Sequence, residues 1–138
     1  MSCGAACARQ ILLDVGIDVS EAQLRAFVGF DPALGMGMTL ESLASALNEH
    51  HPGARYRSGS VAPDQLPSLA EVVPFLVVVR TPSRHIVIVQ EIKAGEVIIR
   101  DPAGVPEGPT VGLEGVMNKQ AFIERWRGAG YGVLFRCG

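Results

Sequence analysis

The sequence predicts an α+β fold, with helices first and an antiparallel sheet after them. Apolar residues recur at helical spacing through the first third of the chain, and β-branched runs dominate from Pro74 to Arg100. The two patterns are segregated rather than alternating, which separates this class from parallel α/β folds. A chain of 138 residues fits one domain around one hydrophobic core, so residues 1–138 are read as a single domain.

Taken in order, Cys7, Ile11, Leu12 and Val15 predict a helix over Gly4 to Asp14, stopped by Gly16, with Cys3 at its N-terminal end. Ser20-Glu21-Ala22-Gln23 has the form of a capping box and opens a second helix whose apolar stripe is Leu24, Phe27 and Val28. Gly29 to Gly37 reads as loop. Gly35-Met36-Gly37-Met38 within and beside it neither follows a strand nor ends in Lys-Ser/Thr, so it predicts a flexible lid beside a cleft rather than a phosphate loop. Thr39 caps a third helix running to Asn48, with Leu40, Leu43, Ala44 and Leu47 on one face. His50 and His51 follow, where a cation favours the helix dipole.

Phe75 to Val79, His85 to Val89 and Glu96 to Arg100 predict three adjacent antiparallel strands, connected through Thr81-Pro82-Ser83-Arg84 and Lys93-Ala94-Gly95. Asp101-Pro102-Ala103-Gly104 ends the third strand, and Gly104 to Gly115 reads as a surface loop rich in Gly and Pro. Asn118 to Trp126 predicts a short helix, and Tyr131 to Phe135 a last strand.

Composition excludes several function classes. Hydrophobic residues make up 48% and charged residues 19%, which supplies a core and argues against disorder. A net charge of -2 with scattered Lys and Arg offers no field for a nucleic-acid backbone. The apolar run from Val72 to Val79 is far shorter than the roughly 20 residues of a membrane helix. Three cysteines, an odd number, suit reduced thiols and hence a reducing cytoplasm as the place of action.

A nucleophilic thiol must be held as thiolate, which a helix N-terminus and a nearby imidazolium both favour. Cys3 has the helix end, and His85, opening a strand after a polar turn, is the candidate base. Asp101 closes the next strand and is expected to lie across from His85, orienting its ring. Each residue has an ordinary alternative: a core cysteine, a hydrogen-bonded histidine, an Asp-Pro turn. Cys7, one turn beyond Cys3, reads as structural, and Cys137 has no polar partner nearby in sequence. Cys3 and Cys7 with a histidine lack a second ligand pair, so no metal and no cofactor is expected.

These elements together resemble the bacteriocin-processing, double-glycine leader branch of papain-like cysteine peptidases. Ser2-Cys3-Gly4-Ala5-Ala6-Cys7 resembles that family's Cys-Gly-x-x-Cys helix start, His85-Ile86-Val87-Ile88-Val89 its His-plus-hydrophobic strand, and Asp101-Pro102-Ala103-Gly104 its Asp-Pro-x-x-Gly turn. Phe122, Trp126 and Gly128, followed by Val133-Leu134-Phe135, are similar to its last helix and strand. The resemblance implies a papain-like fold, Cys3 as nucleophile, His85 as base, Asp101 as orienting acid, and cleavage after small residues of the Gly-Gly type. One family element is missing from this sequence: a glutamine several residues before the nucleophile donates to the oxyanion, whereas only Met1 and Ser2 precede Cys3. Gln10 lies two turns too far along to replace it. Losing one oxyanion donor typically costs about 10²–10³ in rate.

The abrupt start predicts a domain excised from a longer bacterial protein. Two contexts follow from the resemblance: a leader peptidase of a bacteriocin ABC exporter, or the effector domain of a secreted interbacterial toxin, delivered into a target bacterium and blocked by a cognate immunity protein. The end at Gly138, directly after the last strand, favours the toxin expectation. In either context the expected partner is a protein or peptide with a Gly-rich cleavage site. Glutamine deamidation by the same thiol chemistry, and a catalytically inactive peptide-binding module, are the alternatives.

Overall fold

The computed structural model describes residues 3–28, 39–80, 84–101 and 113–137. The first three helices are α1 (Cys3–Asp14), α2 (Glu21–Val28) and α3 (Leu40–His50). The predicted caps form. Gln23 N–H donates to Ser20 Oγ at 3.1 Å while Ser20 N–H donates to Gln23 Oε1 at 2.9 Å. At α3, Ser42 N–H donates to Thr39 Oγ1 at 3.0 Å and Thr39 N–H reaches Ser42 Oγ at 3.1 Å. Each box satisfies donors that the first turn of a helix leaves without intrahelical partners.

The sheet contains β1 (Tyr56–Ser60), β2 (Phe75–Arg80), β3 (Arg84–Lys93), β4 (Glu96–Asp101), β5 (Leu113–Asn118) and β6 (Gly132–Arg136). Their spatial order is β1-β6-β2-β3-β4-β5, with antiparallel pairing throughout. The short helix α4 (Leu66–Leu69) lies between 3₁₀ turns before β2, and α5 (Lys119–Arg127) joins β5 to β6. Helices segregated from an antiparallel sheet are the α+β architecture the residue patterns predict.

Strand alternation divides the core into two faces. Leu76, Ile86, Ile88 and Leu134 pack with α1, α2 and α3, whereas Phe75, Val77, Val87, Val89, Val97, Ile99 and Val133 pack with Phe122 and Trp126 of α5. The β-branched runs are apolar at every position because both faces are covered, where a sheet wet on one side would alternate.

Two strands differ from the sequence reading. Leu113 to Gly115, taken there as the end of a surface loop, belongs to β5, paired along β4 from Glu96↔Asn118 to Asp101↔Leu113. Its glycine and exposed Val116 hide the strand pattern, and pairing to β4 supplies what propensity does not. β1, Tyr-Arg-Ser-Gly-Ser, carries no apolar alternation at all. It forms because Asn48 clamps the backbone of Tyr56, accepting from Tyr56 N–H at 2.8 Å and donating to Tyr56 O at 3.1 Å, and because β6 pairs along it. The proposed lid at Gly35 to Met38, the Thr81 to Ser83 turn and residues 102–112 lie outside the described residues.

Candidate active site

The register of β3 against β4 determines which side chains meet. Ile88 pairs with Arg100 and Val89 with Ile99. One step further sets Asp101 across from Val87, so Asp101 and His85 are diagonal neighbours on the same pleat face, within reach of long side chains. The contact is made: His85 Nε2 lies 2.8 Å from Asp101 Oδ2. The imidazole is 20% exposed and the carboxylate 38%, at the margin of the sheet where β3 begins. Among the described residues the other ring nitrogen, Nδ1, has no hydrogen-bond partner.

Arg100, adjacent to Asp101, points to the opposite face and toward α1. Its Nη1 donates to Asp14 Oδ1 at 3.1 Å and its Nη2 to Asp14 Oδ2 at 2.7 Å, a bidentate pair. Nearer the start of α1, the Cys7 thiol is fully buried and donates to the carbonyl of Ile86 at 3.3 Å. These two contacts fix the direction of the helix. From Asp14 at the level of Arg100 and Ile88 it runs back past Ile86, and its N-terminal end heads toward the start of β3, where His85 sits. Cys3 is the first residue of α1, one turn or roughly 6 Å before Cys7. Its side chain lies outside the described residues.

Of the three candidate residues, His85 and Asp101 are therefore in contact, and Cys3 opens the helix held against the strand of His85. Gln10 is buried, and its Oε1 lies 3.5 Å from Arg100 Nη1, well along the helix from Cys3. Cys7 has the structural role its position predicts. Sequence reasoning missed the Arg100–Asp14 pair, because a charge at each of two distant positions carries no signal of pairing until the register of α1 on β4 is known.

A cavity of about 470 Å³ lies at the other end of α1, lined by Ile11, Asp14, Val15, Tyr56, Val73 and Arg136 among others. Neither His85 nor Asp101 lines it, although Asp14 does and also holds Arg100, the neighbour of Asp101. Among the described residues no cluster of three potential metal ligands occurs, and no helix is long and apolar enough to cross a membrane.

Residues 1–134 match the model of the peptidase C39 family. The peptidase domain of Streptococcus ComA, a bi-functional ABC transporter involved in a quorum sensing pathway, has the same fold at 23% identity and a TM-score of 0.73, over 99% of this chain and 90% of that one. A double glycine motif protease from an AMS/PCAT transporter, solved in complex with the leader peptide, is similar at 18% identity and a TM-score of 0.74, covering 99% and 85%. The N-terminal peptidase C39 like domain of a toxin secretion ATP-binding protein from Vibrio parahaemolyticus matches at 10% identity and a TM-score of 0.71, covering 99% and 96%. Comparison with curated protein sequences returned no match.

Proposed function

The chain belongs to the peptidase C39 family of cysteine peptidases, and on that footing we propose that it is an endopeptidase cleaving after small residues of the Gly-Gly type through Cys3, His85 and Asp101. The contact of 2.8 Å between His85 Nε2 and Asp101 Oδ2 is the observation that carries this reading. A carboxylate on Nε2 fixes the ring and leaves Nδ1 to exchange the proton of the nucleophile. His85 shares the pleat face of Val87, and α1, which opens with Cys3, packs on the other face of the sheet.

The chemistry is acyl transfer. His85 takes the Cys3 proton, the sulfur attacks the scissile carbonyl, and collapse of the tetrahedral intermediate breaks the C–N bond as His85 returns the proton to the leaving amine. Water then attacks the thioester, again giving its proton to His85, which releases the carboxyl product and restores the thiol. Asp101 holds the imidazole and stabilises its cationic form throughout. Residues 1–138 act as one domain in this reading.

The substrate is a peptide with a Gly-rich cleavage site. ComA and the AMS/PCAT protease belong to transporters, and the latter was solved with a leader peptide, so these names support leader processing beside an exporter. A toxin effector held by an immunity protein draws on no residue of the fold. The test is cleavage of a leader peptide containing Gly-Gly, followed by mass spectrometry. Cys3→Ala should lose all turnover with an unchanged circular dichroism spectrum, and retained turnover rules the nucleophile out. A side-chain shift of about one dalton without chain scission would instead establish deamidation by the same thiol chemistry.

A further inference from the structure

We propose that Arg100 and Asp14 are positioning residues, their ion pair setting the register between the helix that opens with Cys3 and the strand that ends in Asp101. The inference rests on the catalytic reading of Cys3, His85 and Asp101. Its own support is the geometry on the α1 face of β4. The Arg100 side chain is 6% exposed, and both of its terminal nitrogens engage the two oxygens of Asp14, at 3.1 and 2.7 Å. Two parallel N–H···O bonds between planar groups fix orientation as well as distance, which a single point charge does not.

Stability alone is a poor explanation for this pair. Desolvating a guanidinium largely offsets its attraction to a carboxylate, and apolar replacements of buried pairs are often neutral or stabilising. Placement explains it better. Arg100 and Asp101 are consecutive and face opposite ways, one gripping α1 and the other His85, so displacement of the β4 backbone at one is felt at the other. The thiol contact from Cys7 to the carbonyl of Ile86, next to His85, is a second tie. Cys7 and Asp14 are seven residues apart, roughly 10 Å and close to two full turns, so both ties lie on one helix face. Together they oppose sliding and rotation of α1, the two motions that would carry Cys3 away from the imidazole. A displacement of about 1 Å in a reacting group can cost on the order of 10² in rate.

The decisive comparison uses Asp14→Asn, Arg100→Gln, Arg100→Lys and the apolar double variant Asp14→Leu/Arg100→Met. Turnover of a Gly-Gly leader peptide is measured at a temperature where circular dichroism shows each protein folded, with Cys3→Ala alongside. The expected result is a kcat lowered roughly ten- to a hundredfold in Asp14→Asn and Arg100→Gln with KM within about twofold, and partial recovery in Arg100→Lys, which keeps the charge but not the fork. The apolar variant keeps the fold should a single substitution unfold it, and it should show the same loss of kcat. Wild-type kcat in folded Asp14→Asn or in the apolar variant, while Cys3→Ala is inactive, overturns the positioning role alone. Cleavage by Cys3→Ala overturns the catalytic reading and this role with it.

Discussion

Replacing Asp101 separates orientation of the histidine from charge at the site. In Asp101→Ala the acceptor 2.8 Å from His85 Nε2 is gone. A hydrogen bond to a charged group is worth about 1.5–3 kcal/mol, and with the carboxylate 38% exposed, water screening favours the lower half of that range. A loss of about 1.5–2 kcal/mol in the transition state lowers kcat/KM roughly ten- to thirtyfold. Asp101→Asn keeps a side-chain oxygen that accepts from the ring N–H, as the asparagine of Cys-His-Asn peptidases does, so only the charge assistance is lost. That difference is about 0.5–1 kcal/mol, or roughly two- to fivefold. Initial rates on one leader peptide, at substrate well below KM, give the three values directly. An Ala variant within about twofold of wild type, or an Asn variant as impaired as Ala, contradicts an orienting role for the carboxylate.

Tyr56 predicts a pH dependence of stability: burial raises its phenol above the ordinary 10.0, against the opposing charge of Arg136. The fold favours the neutral phenol, so its contribution is complete below pH 10.0 and declines as pH rises from there through the folded pKa, because the unfolded chain releases its proton first. Tyr56→Phe should lose about 1 kcal/mol at neutral pH through the missing bond to His51 Nδ1, at 2.8 Å, yet show a flatter alkaline limb in urea unfolding; parallel limbs reject the assignment. Trp126 is fully buried against Phe122 and Tyr131, and its Nε1–H donates to Gly132 O at 3.0 Å. Trp126→Ala should destabilise by about 3–5 kcal/mol, and a loss under about 1 kcal/mol in urea titration would mean that α5 is not a core element.

The parts of the fold legible in the sequence are those whose reasons are local. Ser20 with Gln23 and Thr39 with Ser42 announce helix starts because the capping chemistry lies within four residues. β2, β3 and β4 are visible because burial on both faces gives each a continuous apolar run, Phe75 to Val79, Ile86 to Val89 and Val97 to Ile99. β1 and β5 were hidden because their reasons are distant: Asn48 and β6 for the first, the backbone of β4 for the second. The site follows the same division. Asp101 could be expected across from His85 because both end strands of one hairpin, and their diagonal contact results from its register. The Arg100–Asp14 pair joins positions 86 residues apart through a packing angle that no local pattern encodes.

The two cysteines of α1 lie one helical turn apart. Cys7 is fully buried, and its thiol donates to the carbonyl of Ile86 at 3.3 Å. Cys3, four residues earlier, is the first residue of the helix, where unpaired N–H groups and the positive end of the dipole would favour the thiolate that the proposed mechanism requires. The Cys7 contact ties the helix to the residue following His85. A Cys7→Ser variant retains a donor of shorter reach and Cys7→Ala retains none. If the contact serves placement, activity should fall in the order wild type, Ser, Ala, while the alkylation of Cys3 slows in parallel. A Cys7→Ala protein with both properties intact would leave the second thiol as core packing and transfer the whole task of holding α1 to Asp14 and Arg100.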